Sequence, residues 1–449
     1  MITKLRYDIM ATKDDVLKLV EEKDVEFIRI WFTDVLGFLK SFAITPPELE
    51  GAFEEGLGFD GSSIRGFRDI HESDCVAWPD ASTFQILPWR PKEKAVARMF
   101  ADVTNPDGTP LEADPRYILK QMLKKASDKG YTFYVGPELE YFYFANDQCP
   151  EFLENAGYFD QSMKATDIDL RRETVLALEA MGMRIEKSHH EVAPSQHEID
   201  MCYAEGLTMA DNTITYKYTV KTIAQKSGVC ATFMPKPVAG INGSGMHCHQ
   251  SLFEGKKNAF WNPSDEYHLS YVGKSYIAGL LKYAPEFALV TNPWVNSYKR
   301  LVPGYEAPVY IAWARSNRSA LVRVPMYKPN KEKATRCELR CPDPSCNPYL
   351  AFAVMLGAGL KGIEEHLELS PPVEKNIFHL CAEDKKKLNI TEMPGSLLEA
   401  IQIAEKNTFL KEVLGEHVYN YYLESKKAEW DSFRTAVTDW EVKAYLPLL

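Results

Sequence analysis

Hydrophobic and polar residues alternate with a period of two along several stretches of the chain, the pattern of strands with one buried face. Up to residue 105 the strand-like runs are Glu26–Phe32, Phe38–Ile44, Phe84–Leu87 and Ala95–Val103, with a helical stretch after Pro46. Asn105-Pro-Asp-Gly-Thr-Pro110 concentrates turn formers and predicts a domain boundary. Beyond it the pattern predicts a helix from Asp114, with Pro115 in its first turn, and strands at 131–144, 183–190, 196–202, 230–235 and 246–253. Helical periodicity covers 168–181, 208–227, 269–290, 347–366 and 415–438. Strands close in sequence, with helices between some of them, point to an α+β fold. Residues 1–105 would form a small mixed sheet, and 106–449 a larger domain whose antiparallel or mixed sheet carries side chains on its inner face.

Composition narrows the function. The 449 residues are 45% hydrophobic and 26% charged, ordinary globular material. A net charge of −11 argues against a nucleic-acid partner or an anionic membrane surface. No uninterrupted apolar run is long enough to cross a bilayer, and Met1–Met10 lacks a secretory pattern, so a cytoplasmic location is expected. Nine cysteines without a C-x-x-C pair do not make a disulfide framework; Cys337, Cys341 and Cys346 match no usual zinc spacing and read as reduced structural thiols.

The chemistry lies on four segments. Glu138 and Glu140 sit two apart on an apolar strand, so both carboxylates share one face and repel unless a cation intervenes. His190–Glu198 brings Glu191 and Glu198 close, and Pro194 rules out the helical H-E-x-x-H zinc arrangement. His247 with His249, and Arg336 with Glu338 and Arg340, repeat the same-face spacing. Five carboxylates and one or two histidines suit Mg²⁺ or Mn²⁺, and two or more such ions would balance the charge, as is common in phosphoryl transfer. Between Glu138 and Glu198 there are 13 acidic and 5 basic residues; between Lys299 and Arg340 there are 10 basic and 3 acidic, six of the ten being arginine. Arginine is suited to bidentate contact with phosphate and carboxylate. Gly56-Leu-Gly-Phe-Asp-Gly61 satisfies G-x-G-x-x-G, but a helical segment precedes it and no βαβ unit follows, so the dinucleotide reading is rejected.

These segments resemble type I glutamine synthetase over essentially the whole chain. The matching stretches include Phe59–Phe67, Gly136–Glu140, His189–Glu198, Asn242–His249, Arg300–Pro308, Asn317–Ser319 and Arg336–Pro344. The resemblance implies a β-grasp-like N-terminal domain before a catalytic domain with a curved antiparallel sheet flanked by helices. It implies formation of γ-glutamyl phosphate from ATP and glutamate, then displacement of the phosphate by ammonia. By the same resemblance Glu140, Glu191 and Glu198 hold one divalent ion, and Glu138, His247 and Glu338 the other. Glu186, Tyr203, His249, Ser251, Lys333 and Arg336 match nucleotide positions, with Arg318 and Arg323 on the transferring phosphoryl group. Asn242, Gly243, Arg300 and Arg340 match glutamate positions, and Asp60, Tyr158 and Glu306 the ammonium pocket, with Asp60 as proton acceptor.

In the family Asp60 and the remaining ligands come from neighbouring subunits of two stacked hexameric rings, so a homo-dodecamer is expected. Lys375-Asn-Ile-Phe378 has phenylalanine where adenylylated long forms have tyrosine, which removes that control. Arg65 matches the short-form arginine linked to glutamine feedback, and Arg171-Arg172 offers a place for a dicarboxylate such as 2-oxoglutarate. Ser195 departs from the glycine common in relatives, and a positive φ there would strain it by about 1 kcal/mol. The rival readings are a γ-glutamyl amide ligase using organic amines, a non-catalytic relative, and a ring read by a small regulatory protein.

Overall fold

A computed structural model of the chain describes residues 11–68, 70–161, 165–305, 307–326 and 331–449. Strands β1 (Val25–Thr33), β2 (Leu39–Ile44), β3 (Leu57–Asp60), β4 (Asp74–Pro79), β5 (Gln85–Ile86) and β6 (Ala95–Thr104) form a first sheet. Its order is β2-β1-β6-β4-β3, with β5 paired to β6. β1 and β6 run parallel and the other pairs antiparallel, so this sheet is mixed. Helix Lys13–Glu22, which the sequence pattern had not suggested, begins with a Thr12/Asp15 capping box and buries Val16 and Val20 with Ile28 and Ile30 of β1.

The second sheet has eleven strands: β7 (Thr132–Phe144), β8 (Ile185–His190), β9 (Gln196–Met201), β10 (Ala204–Glu205), β11 (Cys230–Thr232), β12 (Met246–Glu254), β13 (Lys257–Asn258), β14 (Tyr310–Ala314), β15 (Ala320–Arg323), β16 (Cys337–Leu339) and β17 (Thr391–Glu392). Its main path is β17-β14-β15-β16-β12-β7-β9-β8, antiparallel except for β14 beside β15. Helices Gly206–Lys226 and Tyr271–Thr291 pack on it, and Pro348–Glu364 packs against both of them. The last of these is apolar almost all round, as a helix buried on every side must be. Among the described residues no helix is long and apolar enough to cross a membrane.

Helix Pro115–Asp128 shows how the two sheets are fastened. Its N-cap Asp114 accepts the N–H groups of Arg116 at 3.0 Å and Val103 at 3.2 Å, and burial pushes the Asp114 carboxyl up to about 7. The buried Arg116 guanidinium then pairs with Asp80 at 2.7 Å and Asp102 at 2.5 Å from the first sheet, and with Asp211 at 3.0 Å on helix Gly206–Lys226. The Tyr349 hydroxyl donates to Asp211 at 2.6 Å from helix Pro348–Glu364. One cation thus joins four elements distant in sequence. Arg116→Met should lower unfolding stability by about 3–5 kcal/mol, because Asp211 stays buried without its partner; an unchanged urea midpoint would contradict this.

Candidate active site

The register of the second sheet sets ionisable side chains in a row. Arg323 of β15 stands opposite Glu338 of β16, and Glu338 opposite His249 of β12. His247 stands opposite Glu138 of β7, Glu140 opposite Glu198 of β9, and Glu198 opposite His189 of β8. The alternation along β7 buries Val135, Leu139 and Tyr141 on one face and leaves Glu138 and Glu140 together on the other. β12 does the same, sending Cys248 into the core and His247 and His249 toward the glutamates.

Contacts across this face divide the carboxylates into two kinds. Glu338 is held by Arg323 at 2.5 Å and by Arg340, whose charges keep its carboxyl at about 2 although burial acts the other way. Glu138 lies 3.0 Å from His249 Nε2 and 3.8 Å from His247 Nδ1, and both imidazoles outweigh burial and hold it well below the usual carboxylate range. Arg336 donates to His249 Nδ1 at 3.1 Å, which fixes the His249 proton on Nε2, facing Glu138. Among the described residues Glu140 and Glu198 have no such ion pair. Burial, reinforced by the charge of Glu191, pushes Glu140 up to about 8; burial and Asp200 push Glu198 well above its normal value. Burial, with the charge of Arg340 acting the same way, presses His247 down to about 4.

Several groups are placed to hold a metal ion. Glu138, His247 and Glu338 lie within 4.8 Å of one another, as do His189, Glu191 and Glu198, and Glu138, Glu198 and Asp200. His189 therefore completes the trio around Glu191 and Glu198, while Glu140 faces them from β7, its carboxylate accepting from Gln196 Nε2 at 3.0 Å and Gly245 N–H at 2.9 Å. The donors are mostly oxygen, with one or two imidazoles, which fits a hard divalent cation.

Two clefts open on this face. One, of about 430 Å³, is lined by Glu138, Glu186, Tyr203, His249 and Ser251, and from the other side of the row by Arg323, Lys333 and Arg336. The other is narrow and lined by Glu140, Glu191, Asn242, Gly243, Arg300 and Arg340. They meet where His247, in the narrow cleft, approaches Glu138 of the wider one. Gly243 is required by close approach, since a Cβ there would lie 2.3 Å from the Pro235 carbonyl oxygen. Arg300 spends its terminal nitrogens on the Cys341, Pro342 and Arg340 carbonyls, whereas Arg340 keeps a buried Nε with no partner among the described residues.

Other expected site residues stand apart. Asp60 is exposed at the end of β3, accepts the Ser62 N–H at 2.8 Å, and lines neither cleft. Tyr158 stacks on Phe159 and sets its ring edge against His189, beside Glu191. Arg318 is exposed, Arg65 lies over the Phe38 ring at 5.3 Å, and Glu306 falls outside the described residues.

The sequence matches the family model of the glutamine synthetase beta-grasp domain over residues 24–106 and that of the glutamine synthetase catalytic domain over 112–445. The chain belongs to the glutamine synthetase family. It is 53% identical over 442 residues to glutamine synthetase of Mycolicibacterium smegmatis, covering 97% of this chain and 99% of that one. It is also 53% identical over 443 residues to glutamine synthetase of Methanosarcina mazei, covering 98% of each. A solved GmaS/ADP complex superposes with a TM-score of 0.87 at 30% identity, covering 96% of this chain and 99% of that one.

Some neighbours of the site were not singled out from sequence. Asp200 lies two residues after Glu198 on the same strand face, a spacing already used for Glu138 and Glu140, and pairs with Lys187 at 2.8 Å. Behind the face, Glu154 accepts from His190 Nε2 at 2.8 Å, and the buried His197 has neither ring nitrogen bonded among the described residues. Ser195 has a φ of +57°, the left-handed conformation that strains it, and its hydroxyl repays the strain. Its Oγ accepts the Leu153 N–H at 2.9 Å and the Glu154 N–H at 3.2 Å, while its own N–H donates to Glu154 Oε1 at 2.6 Å. These bonds pin the segment leading to Tyr158 onto the turn that carries Glu191. Stability to urea should therefore rank Ser195 above Ser195→Gly, and that above Ser195→Ala, which keeps the strain and loses the hydroxyl, with the last step about 1 kcal/mol; an alanine variant as stable as wild type would refute the clamp.

Proposed function

We propose that the chain catalyses ATP-dependent ligation of ammonia to the side-chain carboxylate of L-glutamate through γ-glutamyl phosphate, giving glutamine, ADP and phosphate. The observation that carries this is the junction of the two clefts at Glu138 and His247, in a chain that aligns end to end with glutamine synthetases. The wider cleft takes ATP. Glu186, Tyr203, His249 and Ser251 receive the nucleoside, and Lys333 and Arg336 pair with its phosphates. Glutamate lies in the narrow cleft, its charged groups meeting Arg300 and Arg340 beside Asn242 and Gly243.

Glu138, His247 and Glu338 would hold one Mg²⁺ or Mn²⁺ and Glu140, Glu191 and Glu198 a second; bound there, such ions supply the positive charge that phosphoryl transfer requires. Arg323 and Arg318 stabilise charge on the transferring phosphoryl group as the glutamate carboxylate attacks it in line. Tyr158, Asp60 and Glu306 form the ammonium pocket, and the Asp60 carboxylate takes a proton from ammonium, freeing the nitrogen lone pair that attacks the acyl phosphate. Glu306 belongs to a proline-bounded loop that shields the acyl phosphate from water.

Because Asp60 lines neither cleft of its own chain, a neighbouring subunit supplies it, in a homo-oligomer that we take to be a dodecamer of two stacked hexameric rings. The ring is placed in the cytoplasm, with glutamine, 2-oxoglutarate and a small regulatory protein as candidate effectors.

Purified protein with ATP, Mg²⁺ and glutamate should release phosphate only when ammonium is added. Release with putrescine or ethanolamine exceeding that with ammonium would move the chain to the amide ligases. Asp60→Ala and Glu338→Ala should each be inactive alone and regain part of the activity when co-assembled; no recovery would place Asp60 elsewhere. Arg65→Ala should keep turnover but weaken inhibition by glutamine, and equal inhibition in the two proteins would remove Arg65 from feedback.

A further inference from the structure

Apart from both clefts lies a cavity of about 640 Å³ between the loop after β1, helix Gly206–Lys226, the Trp294–Lys299 stretch and helix Glu416–Thr435. None of its lining residues has a part in the reaction above. The walls are mainly apolar, with the rings of Phe38, Phe233, Trp294 and Phe433 among them. Against this lining stand three amines, Lys217, Lys221 and Lys299, and one carboxylate, Glu429.

The carboxylate is already spent. Glu429 accepts the Val295 N–H at 2.9 Å and pairs with the buried Lys426 at 3.0 Å. The three lysines have no ion pair or hydrogen bond among the described residues. Lys217 and Lys221, one helical turn apart, approach the Phe233 ring at 5.8 and 6.0 Å, and Lys299 the Phe433 ring at 5.3 Å. Burial pushes the Lys217 ammonium down to about 8, as expected of a cation short of a counter-ion. The space is of the size that small organic ligands fill, and two of its amines stand together beside one ring of an aromatic lining.

We propose that this cavity is an effector site for an amphipathic monocarboxylate, its aromatic or branched apolar body among Phe233, Trp294 and Phe433 and its carboxylate between Lys217 and Lys221. Two amines on one helix turn match a single carboxylate, and the apolar walls would leave the further charges of a polyphosphate unpaired. The cavity also touches parts that lead to the glutamate cleft. Lys299 belongs to the short helix Ser297–Arg300, which carries Arg300. Asn296 holds Lys236 through both its amide atoms, at 2.7 and 3.0 Å, and the Lys236 amine sits 3.9 Å over the ring of Tyr305, which lines that cleft. An occupant therefore bears on the elements that position Arg300 and Tyr305; this coupling rests on the functional reading above, whereas the binding does not.

The test is calorimetric titration of the full-length assembled protein, free of substrates, with 4-phenylbutyrate and with its uncharged amide, 4-phenylbutyramide. The acid should bind once per subunit and the amide about tenfold or more weakly. Lys217→Met and the surface substitution Lys221→Gln should each weaken the acid about tenfold, while turnover without the probe stays within about twofold of wild type. Saturating L-glutamate should leave the probe bound once per subunit, its affinity shifted at most by a fixed factor that further glutamate does not increase, and not displace it. Absence of binding, equal affinity for acid and amide, unchanged affinity in both variants, or displacement by glutamate would each overturn the assignment. Failure of any of these leaves ammonium-dependent phosphate release untouched, so the two readings fail separately.

Discussion

Repulsion among carboxylates gathered on one face of a sheet is the constraint around which the large domain is built. Two unit charges 4 Å apart cost about 1 kcal/mol in bulk water and several times that near a protein interior. Five glutamates converge here, and the chain compensates only some of them. Arg323 and Arg340 hold Glu338, and the two imidazoles of β12 hold Glu138, whereas Glu140 and Glu198 are driven toward the protonated state. A cluster so divided is poised for added positive charge, and the oxygen-rich donors select hard divalent cations.

The antiparallel register delivers this cluster. A slip of one residue between β7 and β12 would turn His247 and His249 into the core and leave Glu138 without either imidazole. Fastening by Arg116 therefore matters beyond stability: it fixes the helices on which the sheet rests, and through Asp80 and Asp102 the position of the first sheet. That sheet displays Asp60 outward, away from both clefts of its own chain.

Much of this was legible in the sequence because it is local. The i, i+2 spacing of Glu138 with Glu140 and of His247 with His249 states which face they share, and Asp114-Pro115 states where a helix begins. Features that depend on distant partners were not legible. The ties of Arg116 to Asp80, Asp102 and Asp211 join residues up to 95 positions apart, and nothing near Arg116 marks it as a hub. β3, β14 and β15 are too short to give a clear period of two, and β4 is apolar from Cys75 through Trp78 without alternation; all four are strands because their neighbours pair with them. His189 and Asp200 lie beside the expected ligands Glu191 and Glu198, and the register that brings them in depends on the β8–β9 turn, whose strained Ser195 gave only a conditional hint.

The most direct measurement is calorimetric titration of the substrate-free protein with Mg²⁺ or Mn²⁺ in buffers of different ionisation enthalpy, which counts the protons released on binding. Glu140, at about 8 without an ion, is mostly protonated at neutral pH, so binding should expel protons there, with affinity rising as pH increases toward and through 8. Glu140→Gln should reduce both the proton count and the affinity. Metal binding without proton release, or release and affinity unchanged in Glu140→Gln, would contradict the view that the uncompensated carboxylates are what call the cations in.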